Sequence, residues 1–250
     1  MAGIAILGLP NVGKTTLFNA LTGLGAPTAA HPFSTVEPNL GVAKVPDPDL
    51  DRAAVLERSK KTTHASLEIL DLPTMAGEGH SGLAPRFLAR LREEEALVVV
   101  LRAFEDGGVP ADESGVDPVE QAETLLLELT VADAEVFARR SERATKEATG
   151  DAGMKRFAEA IAKASDLLAG GTPLRAVEWT SEERTAFRDL APLTLKPAVW
   201  VVNAGEDDLE AAQAAEAPLA ELVPEGDSIV VLSARLEEEA AELDPDDRAE

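Results

Sequence analysis

Short apolar runs, each closed by a glycine- or charge-rich loop, set the pattern of this chain. Residues 3–7 read GIAIL, and runs of the same kind recur at 66–70 (SLEIL), 97–101 (LVVVL), 198–202 (AVWVV) and 228–232 (SIVVL). All read as strands; the run at 66–70 suits a buried strand, and the fully apolar run at 97–101 a central one. LGVAKV at 40–45 reads as a further strand, and LFNALTG at 17–23 and FLARLR at 87–92 read as helical. The prolines at 32 and 38 keep the stretch between them out of helix.

From residue 119 the period changes. Leu125, Leu126, Leu129, Ala132 and Val136 recur at intervals of three or four with charges between them, which is helical spacing. Thr149-Gly150-Asp151 interrupts it, residues 155–168 form a second amphipathic segment, and Gly170-Gly171 stops that. The pattern predicts an antiparallel helical hairpin inserted into a sheet domain. Residues 1–118 and 191–250 form the sheet domain, and 119–190 the insertion. A Leu/Ala stripe of this kind is core or coiled-coil seam and carries no chemistry, though it can offer a surface to a partner.

The chemistry is in the first loop. Gly8-Leu9-Pro10-Asn11-Val12-Gly13-Lys14-Thr15-Thr16 follows the first strand and opens the first helix, and matches G-x-x-x-x-G-K-[ST]. Such a loop wraps backbone N–H groups around phosphate oxygens at the positive end of a helix. Lys14 is expected to reach the β- and γ-phosphates, and the Thr15 hydroxyl to ligate Mg²⁺. A side chain at Gly13 would obstruct the backbone's approach to phosphate. The fold class is therefore α/β, a P-loop NTPase with a mostly parallel sheet. Asp71 ends the second apolar run, where such proteins hold the water shell of Mg²⁺. Thr35, in the proline-bounded stretch AAHPFSTVEPN, is the candidate second hydroxyl ligand, ordered by a γ-phosphate. His31, beside Pro32, reads as a loop residue rather than a catalyst. Residues 72–82 form a glycine-containing mobile loop in which His80 is a weak catalytic candidate. The loops after 198–202 and 228–232 fall on the edge of the sheet where the P-loop lies. They make Asn203, Glu206, Ser233 and Ala234 candidates for the base end.

Composition narrows the partners. The 250 residues carry 23 Lys and Arg against 46 Asp and Glu, a net charge of −23. So acidic a surface does not bind nucleic acid through bulk electrostatics, and any RNA contact needs a local basic patch. The chain has no cysteine, which excludes disulfides and thiolate metal sites within it. No apolar run approaches the ~18–20 residues of a membrane span, and the first strand starts at once, so the expected location is the cytoplasm.

GLPNVGKTTLFNALTG, HPFSTVEPNLG, KPAVWVVNAGE and SARLEEEAAEL together resemble the YchF / Obg-like ATPase family of P-loop GTPase-type proteins, over nearly the whole chain. The resemblance implies ATP as the preferred nucleotide, Mg²⁺ as its companion ion, and the ribosome or another partner. It also implies a C-terminal ubiquitin-like domain, implicated in RNA or ribosome contact and missing here. The closing stretch begins helical, breaks at Pro245 and ends without a capping signal, as expected of part of a longer protein.

The base motif gives the nucleotide preference a local reason. GTPases of this class read guanine with N-K-x-D, whose Asp accepts from guanine N1–H and the exocyclic amine. Here the run is Asn203-Ala204-Gly205-Glu206. The lysine is lost and the longer Glu spoils a bidentate fit, while Asn203 can still serve a purine edge or its loop neighbours. Two departures bear on catalysis. The family's D-x-x-G appears as Asp71-Leu72-Pro73-Thr74, followed by the apolar Met75, and the family's catalytic His position falls on Ala111. Without a group to orient water, hydrolysis is expected to be slow. The functional expectation is a slowly hydrolysing ATP-binding switch. The alternatives are a nucleotide-binding scaffold without meaningful turnover and a GTP-binding protein.

Overall fold

The computed structural model describes residues 3–26, 38–72, 76–77, 80–106, 115–148 and 152–243. The apolar runs become strands, and each strand's closing loop leads into a helix or a ribbon. The first half of the chain gives β1 (Gly3–Leu7), α1 (Lys14–Thr22), β2 (Asn39–Lys44), α2 (Pro48–Leu56), β3 (Ser66–Asp71), β4 (Ala76–Gly77), β5 (His80–Leu83), α3 (Pro85–Glu93) and β6 (Ala96–Ala103). Then come α4 (Pro118–Glu147), α5 (Ala152–Ala169) and α6 (Ser181–Phe187). The sheet resumes with β7 (Ala198–Ala204), followed by α7 (Leu209–Ala212), α8 (Glu216–Leu222), β8 (Ser228–Leu232) and α9 (Ala234–Ala241). Six strands form one sheet in the order β2-β3-β1-β6-β7-β8. β2 is antiparallel to β3, and the other pairings are parallel. The α/β, mostly parallel sheet expected from the pattern is the one observed.

β1, β6 and β7 occupy the middle of the sheet and hold its most buried positions: Ala5, Ile6, Leu7, Val99, Val100, Leu101 and Val202 are fully covered. β2 alternates instead, with Gly41 and Ala43 buried and Leu40, Val42 and Lys44 outward, as an edge strand with one wet face does. β6 runs past its apolar stretch because Arg102 and Ala103 continue the ladder opposite Asn203 and Ala204.

Two elements depart from the sequence reading. Residues 72–82 were expected as a loop, but Ala76 pairs with Leu83 and Gly77 with His80 in an antiparallel ribbon. α2 carries no apolar stripe, has no buried residue, and is held by its start. Asp47 accepts from Leu50 N at 2.9 Å, and Pro48 takes the first helical position.

α4 packs twice. Its first half (Ala122, Leu125, Leu129, Ala132) joins the sheet's core. Phe137 joins a second cluster with Ile161, Ala164 and Leu168 of α5, Trp179, and Phe187 of α6. Phe187 meets Phe137 and Trp179 edge-on, with centroids at 5.4 and 4.8 Å, the arrangement aromatic quadrupoles favour.

α4 also holds the segment around α3 at two points. Glu128 accepts from Leu83 N at 2.8 Å, just before α3 begins. At the far end Arg92 donates to Asp133 at 2.7 Å. Asp133 is fully buried, and also accepts from Leu193 N, Thr194 N and Thr194 Oγ1 at 2.8–3.0 Å. Four donors compensate the buried carboxylate. Losing Arg92 would leave part of that charge uncompensated, a cost of roughly 3–5 kcal/mol.

Candidate nucleotide site

The loops after β1, β6, β7 and β8 meet at the carboxyl edge of the sheet around a cavity of about 850 Å³. Its lining includes Asn11, Gly13, Thr16, Phe104, Asn203, Glu206 and Ser233. Four loops from four parallel strands converge because parallel strands all end on one edge, the usual ligand edge of such sheets.

At the phosphate end the loop's conformation depends on residues that tolerate positive φ. Asn11 sits at φ 60° and Gly13 at φ 95°. A Cβ on Gly13 would also collide with Asn203 Nδ2. The glycine is therefore required by the backbone and by the Asn203 amide, a reason the sequence did not reveal. Gly8 is enclosed as well: a Cβ there would lie 2.5 Å from Val100 O and 2.8 Å from Val12 Cγ2. α1 starts at Lys14 with no side-chain cap, leaving its first-turn N–H groups directed at the loop's mouth.

Lys14 folds back over this loop. Its ammonium donates to Leu9 O at 2.7 Å and Gly8 O at 3.2 Å, and the residue is 7% exposed. Burial lowers its pKa to about 8, against the opposing pull of Asp71. Thr15 Oγ1 donates to Asp71 Oδ2 at 2.8 Å, and Asn39 Nδ2 donates to the same oxygen at 3.0 Å. Asn39 reaches it because β2 and β3 are in register there, Asn39 opposite Asp71, a pairing no local sequence signal announces. Thr15 and Asp71 together present hydroxyl and carboxylate oxygen, the hard donors Mg²⁺ takes alongside phosphate and water. The pair fits the ion.

The base end is built from side chains of distant segments. Asn203 is 5% exposed. Its Nδ2 donates to Val12 O at 2.8 Å, and its Oδ1 accepts from Ala234 N at 2.9 Å. Of the two roles open to it in the sequence, Asn203 fills that of loop neighbour, tying the P-loop to the start of α9. Ser233 precedes α9 and is buried without capping it by its side chain. Glu206 lies in the cavity wall, 3.3 Å from Arg235 Nε, which also meets Glu239 at 3.2 Å. Among the described lining residues Arg235 is the sole cation, facing Glu105, Asp106, Glu206, Asp207 and Asp208.

Arg102, at the end of β6, is 2% exposed. Its guanidinium lies over the Phe104 ring, 4.4 Å from the centroid, and Nε donates to Phe104 O at 3.0 Å. It thereby fixes the aromatic wall of the cavity. Gln121 of α4 secures the same strand end, accepting from Arg102 N and donating to Arg102 O, both at 2.8 Å. Neither role was legible in the sequence, where both residues looked like ordinary polar positions.

Among the expected site residues, Asn11, Gly13, Thr16, Asn203, Glu206 and Ser233 share the cavity. Val12, Lys14 and Ala234 are buried; Val12 and Ala234 hydrogen-bond to Asn203, and Lys14 to the loop's own carbonyls. Thr15 and Asp71 pair beside the loop. His80 is in β5. Thr35, His31, Thr74, Met75 and Ala111 lie outside the described residues. Among the described residues no cluster of three or more His, Asp or Glu could hold a metal. Nor is any described helix long and apolar enough to cross a membrane.

Comparison with known proteins agrees with this geometry. The sequence model of the 50S ribosome-binding GTPase family matches residues 3–136. A protein named ribosome-binding ATPase YchF from Escherichia coli O157:H7 is 37% identical over 98% of this chain, which spans 68% of that relative. Obg-like ATPase 1 of Oryza sativa subsp. indica is 34% identical over 98% of this chain and 64% of its own length. The solved structure of the Schizosaccharomyces pombe YchF GTPase superposes with a TM-score of 0.80 at 28% identity, covering 99% of this chain and 69% of that one. The phosphate loop, the sheet order and the extent of these matches have one reading: the chain belongs to the YchF / Obg-like ATPase family of P-loop nucleotide-binding proteins.

Proposed function

We propose that the chain is an ATP-binding switch that hydrolyses ATP slowly with Mg²⁺ and acts on the ribosome in the cytoplasm. One observation carries the nucleotide part: a P-loop whose Thr15 meets Asp71 at 2.8 Å stands beside a cavity that holds Asn203 and Glu206. The ribosome enters from the names of the relatives.

Bound Mg²⁺ would supply charge neutralisation to the β- and γ-phosphates. The chain's own residues do the rest. Lys14 leaves the Leu9 and Gly8 carbonyls for phosphate oxygens, and Thr15 and Asp71 hold the ion. Residues 8–13 offer backbone N–H groups, and Asn203 keeps the loop docked on α9. Phe104, stiffened by Arg102, walls the base. Residues 119–190 act as an inserted unit that carries the switch's output.

ATP over GTP follows from Ala204 and Glu206. Guanine would need a carboxylate at bidentate distance, whereas Glu206 is drawn toward Arg235. Adenine has no N1 proton to satisfy, so it loses nothing. The names of the relatives divide on this point, the Escherichia coli protein being called an ATPase and the Schizosaccharomyces pombe structure a GTPase.

Direct competition of ATP and GTP for the purified chain tests the base reading, with ATP expected to bind several-fold tighter. Single-turnover hydrolysis is expected on the order of one per minute or slower, rising when ribosomes are added. A rate indistinguishable from buffer, with and without ribosomes, would establish the scaffold reading that Thr74 and Ala111 favour.

A further inference from the structure

The base end of the cavity rests on a strand end that its neighbour leaves unpaired. The ladder between β1 and β6 stops at Leu7 and Val99, where β1 gives way to the phosphate loop. β6 runs on, paired with β7 as far as Ala103. Arg102 lies in this overhang at 2% exposure, so its backbone N–H and C=O need partners. One side chain of α4 serves both. Gln121 Oε1 accepts from Arg102 N, and Gln121 Nε2 donates to Arg102 O, each at 2.8 Å. A side-chain amide offers the same donor and acceptor as a peptide group. Gln121 thereby stands in for the strand that β1 does not supply.

The clamp has a consequence two residues further on. The Arg102 guanidinium lies 4.4 Å from the Phe104 centroid, and its Nε donates to Phe104 O at 3.0 Å. Ring and backbone of Phe104, a residue of the cavity wall, are therefore held by one side chain. Arg102 Nη1 stands 3.5 Å from Asn11 O, the outer limit of a hydrogen bond, so the phosphate loop gains little from it. Gln121 belongs to the opening turn of α4, the helix on which the chain leaves the sheet for the helical insertion.

We infer that Arg102 and Gln121 are positioning residues of the base site: they hold Phe104 as a rigid wall against the purine and tie that wall to the start of the helical insertion. This rests on the nucleotide site proposed above and names what sets its grip on the base. An aromatic ring takes a purine by its face, and stacking serves adenine and guanine alike. The pair thus governs how tightly a nucleotide is held, while Glu206 governs which one. The phosphate end, made of backbone N–H groups and Lys14, does not depend on the pair.

The test compares ligands that share a triphosphate ester and differ in the base. Affinities of the full chain for ATP, GTP and methyl triphosphate, each with Mg²⁺, are measured by calorimetry. Arg102→Met is expected to weaken ATP and GTP alike by about tenfold and Gln121→Met by about threefold, with methyl triphosphate within about twofold of its original affinity in both. Arg102→Lys keeps the cation but loses the planar stack and the Nε bond, and should fall between the native chain and Arg102→Met. Phe187→Leu, in the second core cluster, should lower the melting temperature and leave all three affinities unchanged, which separates lost stability from lost positioning. A further readout needs no variant: in the native chain, hydrogen exchange at the Arg102 amide should slow with ATP and stay unchanged with methyl triphosphate. Equal losses for ATP and methyl triphosphate would make the pair a support of the phosphate loop. Unchanged ATP affinity in both Gln121→Met and Arg102→Lys would remove the pair from the site. Either result overturns the assignment. A native chain that binds ATP no tighter than methyl triphosphate has no base site to position, and that outcome sinks the base reading itself.

Discussion

The two ends of the proposed nucleotide site, one for phosphate and one for the base, are held by different forces. The phosphate end is backbone: Gly13 at φ 95°, Asn11 at φ 60°, Gly8 against Val100 O, and Lys14 folded onto its own loop's carbonyls. The base end is side chains: Asn203 from β7, Ser233 before α9, Phe104 after β6, and a carboxylate field relieved by Arg235. A site made of backbone conformation tolerates little substitution and advertises itself as a short motif. One made of side chains from distant strands can change its ligand by single exchanges, and shows in the sequence only by analogy with other loops.

Substitutions at the two ends should therefore differ in kind. The largest effect is expected at Lys14. Lys14→Ala removes a buried cation and its charge-assisted bonds to phosphate, and should weaken Mg-ATP binding by a factor on the order of one hundred or more. Near-normal affinity in calorimetry would mean that phosphate is held elsewhere. Gly13→Ala comes next. Forcing a side chain into φ 95° costs about 1–3 kcal/mol before the collision with Asn203 is counted. A lowered melting temperature together with weakened ATP binding is expected, and an unchanged melting curve would refute the backbone account.

At the base end the expected outcome is a change of preference with the fold intact. Ala204→Lys with Glu206→Asp should move selectivity toward GTP by several-fold in competition, at an unchanged melting temperature. If the double variant instead unfolds, the base end is as structurally constrained as the phosphate end.

The smallest effect is a proton. Lys14 has a pKa of about 8 in the folded chain, below the ordinary 10.5, because burial disfavours its charge. The folded state thus holds fewer protons than the unfolded one between those values. The burial penalty is present in full below pH 8 and fades as the pH rises through that window. A triphosphate beside Lys14 restores its charge. At pH 8, ATP binding should take up about half a proton, seen as a dependence of the calorimetric enthalpy on the buffer's ionisation heat. At pH 6.5, where Lys14 is already protonated, that dependence should vanish.

The same contrast explains what the sequence disclosed. The strands at 3–7, 66–70, 97–101, 198–202 and 228–232 and the P-loop were legible because short apolar runs and Gly/Lys/Thr spacing are local signals. The hairpin helices were legible from their period. α2 was invisible because its stability comes from the Asp47 cap and Pro48, with no buried face to leave a stripe. The β4–β5 ribbon hid in a glycine-rich stretch that looked like loop. Asn39 beside Asp71, Asn203 between Val12 and Ala234, and Arg102 under Phe104 all join residues far apart in the chain or depend on side-chain direction. Composition and spacing do not encode such meetings.

The double grip of α4 on α3 turns the hairpin into a lever. Glu128 holds Leu83 at the end of β5, two residues before α3, and Asp133 holds Arg92 in the last turn of α3, so a tilt of α3 is passed to α4. The short arm is the five-residue interval between those carboxylates. The long arm runs from Asp133 to the end of α4 at Glu147, about 21 Å at 1.5 Å per residue. A rotation of about 10° at the fulcrum sweeps the far end through about 4 Å, enough to make or break a hydrogen bond there. Mechanical work passes both ways along a rigid arm. A load placed on the far end of α4 is felt at α3 and at the ribbon before it.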